Sequence, residues 1–591
     1  EHKIRESSNQ SMAYRAMDDA TMRDANNWLY TDPDVLNSLP FSVLPKGGFY
    51  NKTDYRMFSY DFRASATWNK VFNDDHILSL FAGLEAKAQD RSNNDFQGWG
   101  MQYENGEIPY FDYHAFKKMR EGNSNYYNLK NTKSRTVGYF ANGTYSYQGR
   151  YSITGTFRYD GSNRLGKARS ARWLPTWNVG GAWNAHEEKF FKKLQPAFSH
   201  FTLKASYSLT ADAGPTDVTN SYVNINSFTP WRPSASVGES GLKIVELENG
   251  GLTYEKKHEL NVGVDLGFLD NRINAELAWY KRDNYDLIGA VLTQGVGGET
   301  RRNANLASMK SHGFEFSLST RNVVTKDFQW TTDFIFGYSK TEITDLKSQT
   351  NVFNLVTGYG QREGYDWGSI FSIPFAGLDA DGYPTYMWNG KLINKTNYGD
   401  INFQQVEDVD FLKYEGPRDP TITGSFGNLF AFKNFKLNVF ITYSAGNKVR
   451  LEPQFSNKYN DLDATPKDFK NRWMIPGDEN VTNVPVIPNA RDNNKYSNLN
   501  VGYNAYNYSD ARIADGGFVR MKEISLSYDF PQSMLGSQKL VKALSLKVQG
   551  TNLFLIYSDS KLNGQDPEFF NSGGVAAPVP KQFTFTVRAS F

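Results

Sequence analysis

Residues 258–268 read HELNVGVDLGF. Leu260, Val262, Val264, Leu266 and Phe268 share one face of an extended strand, and Glu259, Asn261, Gly263 and Asp265 share the other, because side chains alternate along a strand. Polar faces of neighbouring segments add Glu276, Lys204, Arg158 and Lys436, of mixed sign. Left unpaired in the dry core of a β-sandwich, such charges would each cost on the order of several kcal/mol. Facing a hydrated lumen they cost little, while the apolar face meets lipid. This pattern therefore favours a transmembrane barrel over two packed sheets.

The pattern repeats along the chain. Extended segments are predicted at 55–68, 76–87, 135–147, 151–160, 176–184, 200–209, 258–268, 272–282, 311–320, 330–338, 421–432, 435–443, 518–530, 544–554 and 582–591. They run about 9–14 residues, against about 5–6 for a typical soluble strand and about 9–11 for a tilted strand crossing a bilayer. Connection length broadly alternates. Short turns at 69–75, 148–150, 269–271, 322–328 and 433–434 interleave with loops at 89–134, 210–257, 339–420 and 445–516. A loop of about 80 residues is improbable inside a compact soluble domain, whereas barrels keep short turns on one rim and long loops on the other. The last strand, QFTFTVRASF, puts Phe583, Phe585, Val587, Ala589 and Phe591 on one face. The fold class is all-β, a transmembrane antiparallel β-barrel.

Composition agrees. Hydrophobic residues are only 39% of the 591, yet aromatics reach 15%, as expected where every second strand residue faces lipid. No window approaches the roughly 18 apolar residues of a membrane helix. A net charge of +2, from 65 basic and 63 acidic residues, supplies no long-range field for nucleic acid. Cysteine is absent, which removes disulfides, thiolate catalysis and Cys-ligated metals. The first residues, EHKIRESSNQ, carry no signal peptide, so a processed chain or a fragment is expected.

Several motifs are weaker than they look. Gly161 to Lys167 fits seven positions of a phosphate loop, but Ala168 stands where Ser or Thr must hold Mg²⁺; a hairpin loop is expected. The seven His show no HxH or HExxH spacing, so no metal site is predicted. Asp379-Ala380-Asp381-Gly382 hints at a loop-bound calcium but lacks the continuing ligand series, and a turn is expected. There is no GxSxG elbow, and Glu187-Glu188 lie in a connection. No catalytic, cofactor-binding or metal residue is assigned, and the chain is not expected to be an enzyme. Long loops carry Phe96, Trp99, Tyr103, Trp231, Tyr359, Tyr365, Trp367, Tyr386 and Trp388. Their flat faces suit sugar rings or extended peptides, and equally suit loop packing or a lid protein, so no substrate-binding residue is named.

Ordered stretches over roughly residues 150–591 resemble the SusC/RagA family of TonB-dependent outer-membrane transporters. They include RYDGSNRLG (158–166), LKASYSLTADAG (203–214), NVGVDLGFLDNRINAELAWYKRDNYDLI (261–288), NLASMKSHGFEFSL (305–318), FAGLDADGYP (375–384), RWMIPGD (472–478), VQGTNLFLIY (548–557) and GQDPE (564–568). The resemblance implies a barrel of about 22 strands around a plug, in the outer membrane of a Gram-negative bacterium. It also implies a SusD-like surface lipoprotein, TonB engaged through an N-terminal segment, and a dimer of such pairs. Cargo would be glycan or peptide oligomers. This chain departs from the pattern in lacking plug, TonB box and early strands. About 15 strands read here leave about seven for an N-terminal piece of the same transporter. With a terminal strand descending to the periplasm, the strand near Tyr55 starts outside. Residues 1–54, with a short helix at 11–28, would then be an extracellular loop region, and 55–591 the C-terminal part of the barrel. The competing readings are a passive porin or structural barrel, and a soluble multi-domain carbohydrate-binding β-protein.

Overall fold

The computed structural model describes residues 29–31, 35–39, 41–42, 48–102, 108–109, 113–114, 116, 126–163, 172–195, 197–212, 223–228, 241–246, 251–293, 295, 301–459, 465–535, 541–570 and 580–591. Fifteen long strands form one antiparallel sheet in which each pairs with its neighbours in sequence. In chain order they are β1 (Gly48–Phe72), β2 (His76–Gln102), β3 (Tyr127–Tyr147), β4 (Tyr151–Ser162) and β5 (Trp173–Asn184). Then come β6 (Phe198–Asp212), β7 (Glu255–Phe268), β8 (Ile273–Leu292), β9 (Arg301–Val324) and β10 (Phe328–Leu346). The last are β11 (Ile422–Phe432), β12 (Phe435–Ala445), β13 (Phe518–Asp529), β14 (Ala543–Ser558) and β15 (Gln582–Ser590).

All fifteen expected strands are present, but several run much further than the local pattern indicates. β1 has 25 residues and β2 has 27, or roughly 80–90 Å of strand, against a hydrocarbon core of about 30 Å. The boundary drawn between residues 54 and 55 falls inside β1, and residues 89–102 and 127–134 of the expected loop are paired strand. β2 and β3 stay in register out to Phe96 opposite Tyr127. Beyond the membrane the outward face need not be apolar, so alternation fades while backbone pairing continues. The helix expected at 11–28 lies outside the described residues.

Turns at one rim are tight. Asn73 and Asp74 (φ 50° and 60°) and Asp270 and Asn271 (57° and 59°) take the left-handed region, which Asn and Asp tolerate best among residues with a Cβ. The opposite rim carries the long connections 213–254, 347–421 and 446–517.

Among the described residues no second layer packs on the sheet. Leu203, Val264, Leu277, Phe316 and Phe336 lie opposite one another across β6 to β10, forming one cross-strand apolar row. Along that face Leu260, Trp279, Phe157 and Phe426 are exposed. Among the described residues, the clusters of buried apolar side chains lie mainly in the connections at the long-loop rim. An apolar face of this extent without a protein partner needs lipid to solvate it. β1 and β15 form the two ends of the sheet and do not pair with each other.

Candidate functional site

The polar face is built as the alternation requires. Glu259 accepts from Arg282 Nε at 2.9 Å and from Lys257 Nζ at 2.8 Å, and Asn261 Nδ2 donates to it at 2.8 Å. Lys204 pairs with Asp265. Arg158 donates to Asp160 at 2.6 Å and also contacts Glu85 on β2. Lys436 reaches Asp529 at 2.8 Å. Glu276 lies in register with Asp265 and Ser317. The six charged residues expected on this face all share it. Such solvent-facing pairs stabilise by about 0–1 kcal/mol each. They make a wall that is charged, mixed in sign and wettable, rather than a core.

Above the long-loop rim, connections 347–421 and 446–517 fold together into a module with its own hydrophobic core. α1 (Val352–Thr357) and α3 (Leu499–Asn507) contribute to it, and α2 (Ala490–Lys495), which lies between them in the chain, buries none of its own residues. Val352, Phe371, Tyr386, Tyr398, Tyr503 and Tyr506 are buried together. Tyr386 donates to Gly502 O and Tyr398 to Pro384 O, both at 2.6 Å. A Cβ at residue 502 would run into the Tyr398 ring, so only glycine lets α3 approach. Burial pushes the phenols of Tyr383, Tyr386, Tyr398, Tyr503 and Tyr506 above their ordinary value. Arg450 ties the two connections to each other by donating to Phe371 O at 2.5 Å, Ser372 Oγ at 2.9 Å and Ser509 O at 3.2 Å. Burial lowers its guanidinium to about 10, so it remains charged at neutral pH. Arg520 on β13 meets Asp566, in the connection after β14, at 2.6 Å with both side chains buried.

The loop aromatics divide. Tyr386 and Trp388 are in the module core, the Trp388 ring tilted at 45° against Phe411 with 4.5 Å between ring centroids. Tyr365 packs on Phe371 and Tyr414. Tyr359, Trp367 and Phe96 are exposed. Tyr103 and Trp231 lie outside the described residues, as does the side chain of Trp99. At Asp379 the carboxylate caps a turn, accepting from the backbone N–H of Asp381 at 3.0 Å and Tyr383 at 2.9 Å. Lys395 Nζ lies 3.2 Å from Asp379 and also contacts Asp381. Among the described residues no three His, Asp or Glu side chains have metal-binding geometry. Gly161 and Ser162 end β4, Asn163 bonds back to β3 through Arg135 N and Lys133 O, and residues 164–170 lie outside the described set. Glu188 accepts from Tyr151 at 2.6 Å and Arg150 at 3.4 Å, joining two adjacent turns.

One feature had no sequence signal. At the long-loop end of β11, β12 and β13 the polar face holds a cleft of about 530 Å³, lined by Thr423, Thr442, Ser444, Asn447, Lys522 and Glu568 among others. Ser444 and Asn447 are 7% and 6% exposed, and among the described residues Ser444 Oγ and Asn447 Oδ1 find no hydrogen-bond partner. Gly446 (φ 86°) turns the chain sharply out of β12, and a Cβ there would collide with Thr421.

The TonB dependent receptor-like, beta-barrel family matches residues 5–428, well over half of the chain. The chain belongs to that family. Membership places the barrel in an outer membrane, in a family of receptors and transporters rather than enzymes. TonB-dependent receptor P39 of Formosa agariphila is 26% identical over 569 residues, covering 88% of this chain and 51% of the relative. TonB-dependent receptor SusC of Bacteroides thetaiotaomicron is 26% identical over 481 residues, covering 78% and 44%. The chain thus spans about half the length of these relatives. The structure of the RagAB peptide transporter superposes with a TM-score of 0.73 at 21% identity, covering 92% of this chain and 56% of that one. This likeness shows a shared fold. The resemblance read from residues 158–568 agrees with these relatives.

Proposed function

We propose that the chain is the C-terminal barrel portion of a TonB-dependent, SusC-type importer in the outer membrane of a Gram-negative bacterium. The observation that carries this reading is the two-sided sheet: one face apolar without a protein partner, the other a wall of paired charges, with a folded module over one rim. The free edges of β1 and β15 support closure by further strands. β15 exposes Phe583, Phe585 and Val587, and an open edge of this kind invites pairing. In the proposal those strands, and a plug inside them, come from an N-terminal part of the same transporter, which also engages TonB. A SusD-like lipoprotein caps the module and captures large nutrients, oligosaccharides or peptides, for entry past the plug.

The test is uptake by cells producing the complete transporter. Labelled cargo should enter only while the proton gradient and TonB are intact. Unchanged uptake after a protonophore or tonB deletion would leave a passive porin in place of an importer. Co-purification from outer membranes should recover a lipoprotein and a plug-bearing segment.

A further inference from the structure

We propose that the connection 185–197, between β5 and β6, is a membrane-interface anchor that takes the phosphate headgroups of anionic phospholipid. It lies on the short-turn rim, the periplasmic side of an outer-membrane barrel. The turns beside it span only 148–150 and 269–272, so closing a hairpin here does not require a segment of this length.

Two contacts hold the segment against the outward face. Tyr151, Trp183 and Leu203 stand opposite one another across β4, β5 and β6, and so continue the apolar row that runs through Val264. Glu188 accepts from the Tyr151 hydroxyl at 2.6 Å and from Trp183 Nε1 at 3.4 Å, which puts its carboxylate on that lipid-facing side. Further along, Phe191 is buried, its ring 6.2 Å from Phe198, which in turn lies 4.6 Å from Phe268 on the face of Leu260. The segment then presents two apolar side chains among cations. Phe190 and Leu194 are 56% and 47% exposed, and Lys189, Lys192 and Lys193 are exposed beside them. The segment's own acids are engaged elsewhere, Glu188 with Arg150 at 3.4 Å and Glu187 with His186 at 3.5 Å. Among the described residues no ion pair neutralises the three lysines.

The chemistry names the occupant. Aromatic and aliphatic side chains flanked by lysines are the pattern of a segment lying in the plane of a membrane interface. Lysine stems run along apolar surface while their ammonium groups stay with phosphate and water. The patch is continuous with a face that lipid already covers, so a bilayer reaches it without any further partner. Each lysine near an anionic surface favours binding about fivefold, so anionic headgroups are preferred over zwitterionic ones. This inference needs only the barrel's place in an outer membrane and stands apart from the import reading; energy-independent uptake would leave it untouched.

The test places a probe at Leu194 in the complete transporter with its partner chains. The chain has no cysteine of its own, so Leu194→Cys can carry a single bimane label. In nanodiscs of phosphatidylcholine and phosphatidylglycerol in equal parts, nitroxide-bearing lipid should quench that bimane. The same label on Lys326→Cys, in the tight turn 325–327, should be quenched by aqueous iodide instead. A second arm titrates the detergent-purified transporter with phosphatidylglycerol or phosphatidylcholine and reads binding by native mass spectrometry. The Lys189→Gln, Lys192→Gln, Lys193→Gln variant alters only exposed side chains. It should weaken phosphatidylglycerol binding about a hundredfold and leave phosphatidylcholine binding unchanged. Iodide quenching of the Leu194→Cys probe, its shielding from both quenchers by a protein partner, or unaltered phosphatidylglycerol affinity in the triple variant would overturn the assignment.

Discussion

The sheet and the module above it obey opposite rules. In the module, Phe371, Tyr386 and Tyr503 are shut away from water on every side, and stability comes from removing apolar area from solvent, at roughly 25 cal/mol per Å². In the sheet, Trp279, Phe157 and Phe426 stay exposed and the polar wall is wet, so cohesion comes from continuous backbone pairing, with lipid taking the place of a core. One chain thus contains a soluble fold mounted on a membrane fold, and a given substitution has different consequences in each.

Alkali should separate them most completely. The five buried module phenols have folded values raised above the ordinary tyrosine value of 10.0. Above that pH the unfolded chain sheds protons the fold retains, so module stability falls steadily as pH rises. Near-ultraviolet circular dichroism and protease sensitivity should report module melting while the barrel still migrates as folded; simultaneous loss would erase the distinction. Next in size, Phe371→Ala should cost the module about 3–5 kcal/mol, read as new cleavage within 347–517 and no change in barrel unfolding by urea. Smaller is Phe316→Arg on the lipid face, expected to cost about 2–4 kcal/mol in vesicle-based refolding if it sits near the midplane. Ser317→Arg, one residue away on the wet face, should cost well under half as much, and equal penalties would mean that both faces meet the same medium. The smallest effect belongs to Lys436→Ala, which breaks the Lys436–Asp529 pair and should change stability by no more than about 1 kcal/mol.

Much of the sheet was legible because period-2 alternation is a local property. Leu260 to Phe268 and Phe314 to Leu318 declare their faces to any reader of the sequence, and so do the charges opposite them. The strand tips were not legible. Residues 89–102, polar and Asn-rich, carry no alternation because water lies on both sides of them there, and only their partners on β1 and β3 hold them extended. The module was invisible for a related reason. Tyr386 and Trp388 look like loop aromatics ready for a ligand, and their burial depends on α3 arriving from more than a hundred residues later in the chain.

By itself the sequence determined the strand count, the sidedness of each strand and the rim on which the long connections emerge, since all three follow from alternation and turn chemistry among near neighbours. Tertiary structure alone decided that two of those connections share one core, that Lys395 bridges Asp379 and Asp381, and that Arg520 and Asp566 pair away from water. Each of those outcomes depends on which distant side chains come within van der Waals or hydrogen-bonding reach, a short-range condition that no local pattern encodes.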